Sequence, residues 1–218
     1  MKNILLTLLA LALIACGNNN TKPSTPIPHG ETIALLQPDL DGGLPINRAL
    51  SLRASSRNYT SEPLSLEELS EVLWAAAGVN RPDGHLTAPS AIALYPLSLY
   101  AFTAEGVYLY SSATHTLTRV VEGDHRALTA SQDFAYEAAL NIVYIADLGK
   151  YENRGIPRTK AEFLCGQDAA GYAENVNLYA AGHGLKSITR GSLRSSEVVA
   201  LLGLGENFLP VLAQTVGK

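Results

Sequence analysis

Two arginines and two serines stand close together in the segment Arg53-Ala54-Ser55-Ser56-Arg57. Arg53 and Arg57 are four residues apart, so in a helix their side chains would project from one side. A guanidinium carries paired donors that match the oxygens of a phosphate, which a lysine ammonium does not. The segment is therefore a candidate anion site. Taken alone, it would also fit two solvated surface arginines.

The segment leads into a predicted helix. Ser65 and Glu68 have the spacing of a capping box, in which each side chain bonds the backbone amide of the other residue. Apolar residues then recur at helical spacing from residue 66 to residue 76. We expect Gly78 to end this helix in a left-handed conformation.

Strands and helices are both predicted along the rest of the chain. Apolar runs bounded by turn residues predict strands at residues 92–102, 107–110, 117–121, 140–146 and 211–216. Helices are predicted at residues 132–139 and 168–181, and a short one from Ser195 to near Gly203. This mixture predicts an α+β sandwich with a central, mainly antiparallel sheet flanked by helices.

The N-terminus has the pattern of an export signal. Residues 1–3 are a short basic start, and the apolar run at 4–15 is too short for a comfortable membrane span. The run ends in Leu13-Ile14-Ala15-Cys16, which resembles the lipobox of bacterial lipoproteins. That resemblance implies cleavage before Cys16 and lipidation of its sulfur. An ordinary secretory signal with an accidental cysteine is the alternative.

We therefore expect a signal peptide at 1–15, a flexible tether at 16–30 behind lipidated Cys16, and one domain at 31–218. The tether is rich in Asn, Thr, Pro and Ser and has almost nothing apolar to bury. Gly17, directly after the cysteine, resembles lipoproteins of the outer membrane, so we expect a lipid-anchored protein of the bacterial cell envelope that faces the periplasm. The net charge of −4 favours no nucleic-acid partner.

Several common catalytic motifs are absent from the sequence. The five histidines are scattered and no Cys-x-x-Cys pair occurs, so we expect no metal site. No Gly-x-Ser-x-Gly motif of an esterase is present. Cys165 is the only cysteine besides Cys16, and we expect it to be a buried, small apolar side chain rather than a reactive thiol.

Five segments, in order along the chain, resemble motifs of the nitroreductase family of FMN flavoproteins. Within that family they resemble the SagB-type branch, which includes the azoline dehydrogenases of thiazole and oxazole peptide maturation. The similarity runs from about Leu44 to Lys218. The segments are Arg53-Ala54-Ser55-Ser56-Arg57 with residues 64–69 and 73–78, residues 87–97 with Pro89-Ser90-Ala91, Lys150-Tyr151 with Arg154-Gly155, residues 174–181 ending at Gly184-Leu185, and Val216-Gly217-Lys218.

The resemblance implies that the cofactor is FMN and that residues near both ends of the domain bind it. Arg53 and Ser55 would hold the phosphate and ribityl region, and Lys218 would supply a second cation to the phosphate. Arg57 would approach the pyrimidine edge of the ring, where reduction builds negative charge. A buried phosphate needs several such donors, because its desolvation is otherwise too costly.

The same resemblance places two further groups at the flavin ring. Pro89-Ser90-Ala91 would line one side of the isoalloxazine, with Gly184-Leu185 nearby. Lys150 and Tyr151 match a pair that is implicated, in the azoline dehydrogenases, in moving a substrate proton, and both residue types suit proton transfer when their surroundings shift the pKa. Alternatively, Lys150 is an ordinary surface lysine and Tyr151 covers the edge of the sheet.

The function implied by the resemblance is an FMN-dependent oxidoreductase that transfers two electrons through flavin N5 to or from a small molecule. A homodimer with the flavin at the subunit interface is implied as well. Two alternatives remain: a non-catalytic lipoprotein that binds a flavin or small ligand, and an azoline dehydrogenase. The sequence departs from the branch at Ala54, which replaces an arginine, and at Ile92, which replaces a glycine beside the ring.

Overall fold

The computed structural model describes residues 31–218. The predicted signal peptide, the lipidation site at Cys16 and the tether lie outside the described residues. Residues 31–218 form one seven-stranded sheet with helices packed against it. The α+β sandwich that the sequence predicts is therefore confirmed.

All strand pairs of the sheet are antiparallel. The strands are β1 Thr32–Ala34, β2 Leu97–Phe102, β3 Gly106–Ser111, β4 Thr116–Glu122, β5 Leu140–Asp147, β6 Lys186–Arg190 and β7 Phe208–Gly217. Their order across the sheet is β1-β4-β3-β2-β5-β7-β6. Strand β5 lies inside the sheet and is buried over all but its last residue, which explains why its sequence is apolar apart from Asn141 and the terminal Asp147.

Six helices accompany the sheet in the described part of the chain: α1 Ile46–Leu52, α2 Leu66–Ala77, α3 Phe134–Glu137, α4 Gly149–Glu152, α5 Arg158–Gly182 and α6 Ser195–Leu201. Short 3₁₀ turns occur at Ala91–Ala93 and Arg126–Thr129. The predicted capping box of α2 is present, with the Ser65 hydroxyl accepting from the Glu68 amide at 3.2 Å and the Glu68 carboxylate accepting from the Ser65 amide at 2.7 Å.

Helix α5 is the long helix that packs across the sheet. Its buried face contains four alanines, three larger apolar or thiol side chains and two polar ones, the last five being Cys165, Tyr172, Val176, Asp168 and Asn177. Small side chains let the helix approach closely, and the Tyr172 ring meets Tyr144 of β5 edge-on at 6.4 Å. Cys165 is fully buried, as predicted, and burial is the main cause that raises its pKa to about 11.

Some boundaries differ from those that the sequence predicts. Gly78 is extended, with φ −72°, rather than left-handed. Glycine is needed there because a Cβ atom would lie 2.1 Å from the Trp74 ring. The predicted strand at residues 92–102 begins only at Leu97, since residues 91–93 form a turn, and the predicted helix at 132–139 is a single turn. Helix α5 begins at Arg158, ten residues before the predicted start at residue 168. The sequence pattern does not predict these first turns because they carry few periodic apolar residues.

Within residues 31–218, none of the helices combines the length and the apolar character that crossing a membrane requires.

Candidate active site

The arginine–serine segment leaves helix α1 and runs along the edge of the sheet. The helix ends before Arg53, so the one-sided helical arrangement considered for Arg53 and Arg57 does not form. Ser55 instead forms a parallel bridge with Ser187 of β6, and the Ser56 amide donates to the Ser187 carbonyl at 3.0 Å. In an extended chain alternate side chains share a side. The extended backbone therefore groups residues 53, 55 and 57.

Both guanidiniums of this segment are available to a ligand. Arg53 and Arg57 are exposed, and neither has an acidic partner within the described part of the chain. Gly184 and Leu185 lie at the same end of the molecule, directly before β6. Gly184 has φ +74°, a conformation that favours glycine, and the buried Leu185 donates its amide to the last turn of α5. Residues 53–57 and Gly184-Leu185 together are called the anion half of the site below.

Lys218 lies next to Thr60, and within residues 31–218 no hydrogen bond joins it to Arg53. Its carbonyl accepts from the Thr60 amide at 2.8 Å. Its ammonium donates to Glu62 at 2.8 Å and lies 3.3 Å from Glu68. The bond to Glu62 is the main cause that raises the Lys218 pKa. A phosphate at Lys218 would have to compete with these two carboxylates, so the structure supports Lys218 less well than Arg53 as a phosphate ligand.

The Pro89-Ser90-Ala91 segment is held by a buried carboxylate of helix α5. The Ser90 hydroxyl donates to Asp168 Oδ2 at 2.5 Å, and the Ala91 amide donates to Asp168 Oδ1 at 3.0 Å. The Ser90 oxygen in turn accepts the Tyr95 amide at 2.9 Å. Asp168 is 5% exposed, so Ser90 and Ala91 are fixed directly to the interior of the domain, and Tyr95 is fixed through Ser90. Residues 89–96 are called the ring loop below.

The ring loop contains three residues in the left-handed region of the backbone. Ile92, Ala93 and Tyr95 have φ values of 52°, 53° and 47°. Such conformations cost roughly 1–3 kcal/mol for residues other than glycine and persist where the surroundings fix them. A glycine at position 92 would adopt this φ without the penalty. The departure at Ile92 therefore adds strain and puts an exposed apolar side chain on the loop.

Lys150 and Tyr151 lie beside the ring loop but differ in accessibility. The exposed Lys150 ammonium donates to the Tyr95 carbonyl at 2.9 Å. Tyr151 is fully buried, and its hydroxyl has no hydrogen-bond partner among the described residues. Burial, with a smaller contribution from the Asp168 charge, raises the pKa of Tyr151 to about 12. In this arrangement Lys150 can contact a substrate, whereas Tyr151 is a neutral phenol closed to direct contact.

The anion half and the ring loop lie at opposite ends of the domain. The ring loop is attached at Asp168, and Gly182, the end of α5 next to the anion half, lies about 21 Å further along the helix at 1.5 Å per residue. Strand β5 gives the same result. Its Leu140 end lies next to the end of β7, and its Asp147 end lies next to the loop, about 23 Å away. An aromatic cofactor ring bound against Arg57 would therefore not reach residues 89–96 of the same chain.

A largely apolar groove lies beside the anion half. Its volume is about 310 Å³, and it runs between α1, α2 and α5. At its polar end the Tyr179 hydroxyl donates to Glu71 at 2.8 Å, and His183 stacks on Tyr179 at 4.0 Å. Five large apolar side chains in and before α1 are exposed, and the second and third of them line the groove: Leu40, Leu44, Ile46, Leu50 and Leu52. Several exposed large apolar side chains close together along the chain are typical of a site of association.

Sequence analysis missed Asp168. The residue was placed at the start of a predicted helix and given no role. A usable signal was present, because Asp168 falls on the same helical stripe as Cys165, Ala169 and Tyr172, which are buried. A carboxylate among core positions is rarely buried without bonding partners. Within residues 31–218, no cluster of three His, Cys, Asp or Glu side chains is arranged to hold a metal ion.

Comparison with known proteins gives consistent matches over the domain. The model of the Nitroreductase family matches residues 50–218. A Methanocaldococcus jannaschii protein assigned as a nitroreductase is 32% identical over 203 residues, which are 87% of this chain and 98% of that protein. A Ralstonia eutropha crystal structure with the same assignment is 35% identical, with a TM-score of 0.81 over 89% of this chain and 93% of its own.

A more distant structure shares the fold. The NADPH:FMN oxidoreductase of Vibrio harveyi, solved with NAD+, is 21% identical, with a TM-score of 0.58 over 79% of this chain and 68% of its own.

The buried thiol gives a testable pH dependence. Burial raises the pKa of Cys165 from 9.0 to about 11, so the folded state keeps a proton that the unfolded state loses first. The stabilisation from this proton is complete below the unfolded pKa and is lost as pH rises from about 9 to about 11. We expect the Cys165→Ala variant to lose stability less steeply than wild type over this range. Urea unfolding at several pH values measures the difference.

A neutral core substitution on the same helix serves as the control. Val176→Ala should lower stability by a similar amount at pH 8 and pH 10.5, since it removes no titrating group. Equal pH slopes for wild type and Cys165→Ala would contradict the prediction.

Proposed function

Because this chain belongs to the nitroreductase family and is an oxidoreductase, we propose that it binds FMN and transfers two electrons to or from a small molecule. The observation that carries the proposal is the anion half, where two exposed arginines stand on either side of Ser55 on an extended segment fixed to β6. Neither arginine has an acidic partner among residues 31–218. Guanidinium and hydroxyl donors on one side of a chain suit a phosphate ester. When bound, FMN would supply two-electron transfer through its N5 atom.

Each residue of the anion half has a distinct part in this proposal. Arg53 and Ser55 bind the phosphate and the ribityl chain. Arg57 places a positive charge near the pyrimidine edge of the ring, which favours the reduced flavin. Gly184, with no side chain, and Leu185 shape the surface behind this segment. Lys218 contributes only if its ammonium leaves Glu62, so we give it a secondary part.

We further propose that each flavin site is completed by a second copy of the chain. The ring loop and Lys150 lie about 21 Å from the anion half along α5, too far to line the same ring in one chain. The exposed apolar residues of α1 lie beside the anion half, where a second copy can cover them. One copy then supplies Arg53, Ser55 and Arg57, and the other supplies Pro89-Ser90-Ala91 and Lys150.

In this two-chain site Lys150 acts on the substrate side. Its ammonium reaches the ring loop at the Tyr95 carbonyl and is otherwise open to solvent. It can donate a proton to a substrate that accepts a hydride, or hold a negatively charged substrate group. Tyr151 needs a movement of its surroundings to take part, because its hydroxyl is enclosed.

The substrate class that we favour is a small, flat electron acceptor such as a quinone or a nitro compound. The SagB-type motifs at Pro89-Ser90-Ala91 and Lys150-Tyr151 keep azoline oxidation as a second candidate activity. Ile92 argues against a bulky peptide substrate, because an exposed isoleucine stands where the branch has a glycine. A flavin- or ligand-binding lipoprotein without activity is the remaining alternative. A flavin that is reduced chemically and reoxidised by quinones would distinguish the enzyme from the binding protein.

For the cellular location we propose a lipid anchor at Cys16 and a tether at residues 16–30 that holds the domain at the bacterial envelope. The support is the lipobox-like Leu13-Ile14-Ala15-Cys16 and the polar stretch behind it. Two or more acyl chains would suffice for stable anchoring, at about 0.8 kcal/mol per buried CH₂.

Arg53→Ala should weaken FMN binding about tenfold or more, because a hydrogen bond to a charged group contributes roughly 1.5–3 kcal/mol. Riboflavin, which lacks the phosphate, should bind both proteins almost equally. Flavin fluorescence titration measures both affinities. Arg48→Ala, on the exposed surface of helix α1 just before Arg53, is the matched control and should leave both affinities unchanged. Equal FMN affinity in wild type and Arg53→Ala would remove Arg53 from the site.

Charges on the exposed face of α1 should prevent association of two copies. We expect the double variant Ile46→Glu, Leu50→Glu to be monomeric at concentrations where wild type is a dimer, and to lose FMN. Size-exclusion chromatography with light scattering gives the mass, and absorbance gives the flavin content. Val120→Glu, at an exposed apolar position on β4, should leave both unchanged. A monomeric double variant that retains FMN would show that one chain holds the flavin by itself.

Membrane attachment should depend on Cys16. The Cys16→Ala variant should either appear in the soluble fraction or retain an uncleaved signal, which fractionation and mass spectrometry of the mature protein detect. Wild-type fractionation and wild-type mature mass in this variant would contradict the lipoprotein assignment.

A further inference from the structure

We propose that Asp168 is the positioning residue of the flavin site, because its buried carboxylate holds the ring loop in the left-handed conformation that the loop presents to the flavin. This inference rests on the proposed function for the flavin, but the attachment of the loop to Asp168 can be tested without it. Nothing in the resemblance assigns a role to this residue.

The hydrogen bonds of Asp168 span the strained part of the loop. One carboxylate oxygen accepts the Ser90 hydroxyl and the other accepts the Ala91 amide. Ser90 also links Tyr95 to Asp168, because the Ser90 hydroxyl oxygen accepts a hydrogen bond from the Tyr95 amide at 2.9 Å. The bonds therefore tie residues 90, 91 and 95 to one point on α5. Ile92 and Ala93, which lie between the tied residues, have positive φ, and so does Tyr95 itself.

The position of Asp168 gives this tie its rigidity. The residue lies on the buried face of α5, one turn from Cys165 and Tyr172, and is only 5% exposed. A buried carboxylate cannot exchange its partners for water without moving the helix or the loop. Two fully buried hydroxyls, those of Tyr151 and Tyr172, feel its charge but form no hydrogen bond within the described structure. Among the described residues, the hydrogen bonds that Asp168 accepts therefore come from Ser90 and Ala91 of the ring loop, and not from these two tyrosines.

The strain explains why the loop needs such an anchor in this protein. A β-branched residue at positive φ returns to an extended conformation unless other contacts oppose it. Glycine at position 92 would remove that tendency. Asp168 and residue 92 should therefore be coupled. Removing the Asp168 carboxylate should disturb the loop strongly when residue 92 is isoleucine and only weakly when it is glycine.

The first measurement uses the protein without flavin. In Asp168→Ala we expect the Ala91 and Tyr95 amides to exchange with solvent about tenfold faster or more, since one loses its acceptor and the other loses the residue that fixes its acceptor. Glu162→Gln, which removes an exposed carboxylate from the same helix, should leave them unchanged. NMR hydrogen exchange resolves both amides. Unchanged exchange in Asp168→Ala overturns the proposal.

The second measurement uses FMN affinity and its rescue. We expect Asp168→Ala to weaken FMN binding about tenfold, and Ile92→Gly in the same chain to restore most of it. Asp168→Asn should stay within about threefold of wild type, because its carbonyl oxygen can still accept from the Ala91 amide while its NH₂ group donates to the Ser90 oxygen. An affinity loss that Ile92→Gly does not restore would indicate general damage to α5 and overturn the proposal.

A single variant covers the case in which Asp168→Ala does not fold. Ile92→Gly alone should raise the midpoint of thermal unfolding, because it relieves the positive φ, whereas glycine in a relaxed loop lowers it. A lowered midpoint overturns the proposal. If wild type binds no FMN, the proposed function fails, while the exchange measurement still decides whether Asp168 holds the loop.

Discussion

The packing of helix α5 on strands β5 and β7 is the constraint on which the rest of the domain depends. Buried polar bonds fix its register: the Gln214 amide donates to the Ala173 carbonyl and to Asn177, and the Tyr144 hydroxyl donates to Gln214. A shift of the helix along its axis would leave these polar groups without hydrogen-bond partners in the interior, where an unpaired polar group is most destabilising. Alanines on the packed face add close contact but little specificity. The polar bonds therefore decide where the helix stands.

This fixed helix also sets the distance between the two parts of the candidate site. Gly182, at the end of α5, accepts the Leu44 amide that precedes α1, and Asp168 holds Ser90 and Ala91 nearer its start. Neither part can approach the other without unpacking the core. The proposed pairing of two chains follows from this rigidity, and so does a coupling of association to cofactor binding. The same geometry explains why an apolar surface remains exposed beside the arginines of a single chain.

The two parts of the site also differ in how they are built. The anion half is built on an extended, exposed segment, and the bridge between Ser55 and Ser187 places it. The ring loop is compact and strained, and a buried carboxylate holds it. Phosphate recognition tolerates some side-chain freedom because long-range charge contributes to it. In the proposed function the loop lies against a flat ring, which needs a fixed backbone, and the strained residues Ile92, Ala93 and Tyr95 lie in this fixed loop.

The sequence by itself determined the local features: the capping box at Ser65 and Glu68, the apolar run of β5, the α+β class and the family. These depend on contacts between near neighbours or on short motifs. Tertiary structure decided the rest. It made residues 53–57 extended by pairing Ser55 with Ser187, turned residues 91–93 out of the predicted strand, and enclosed Tyr151. It alone joined Asp168 to Ser90, since a bond between residues 78 positions apart exists only once helix and loop are packed together.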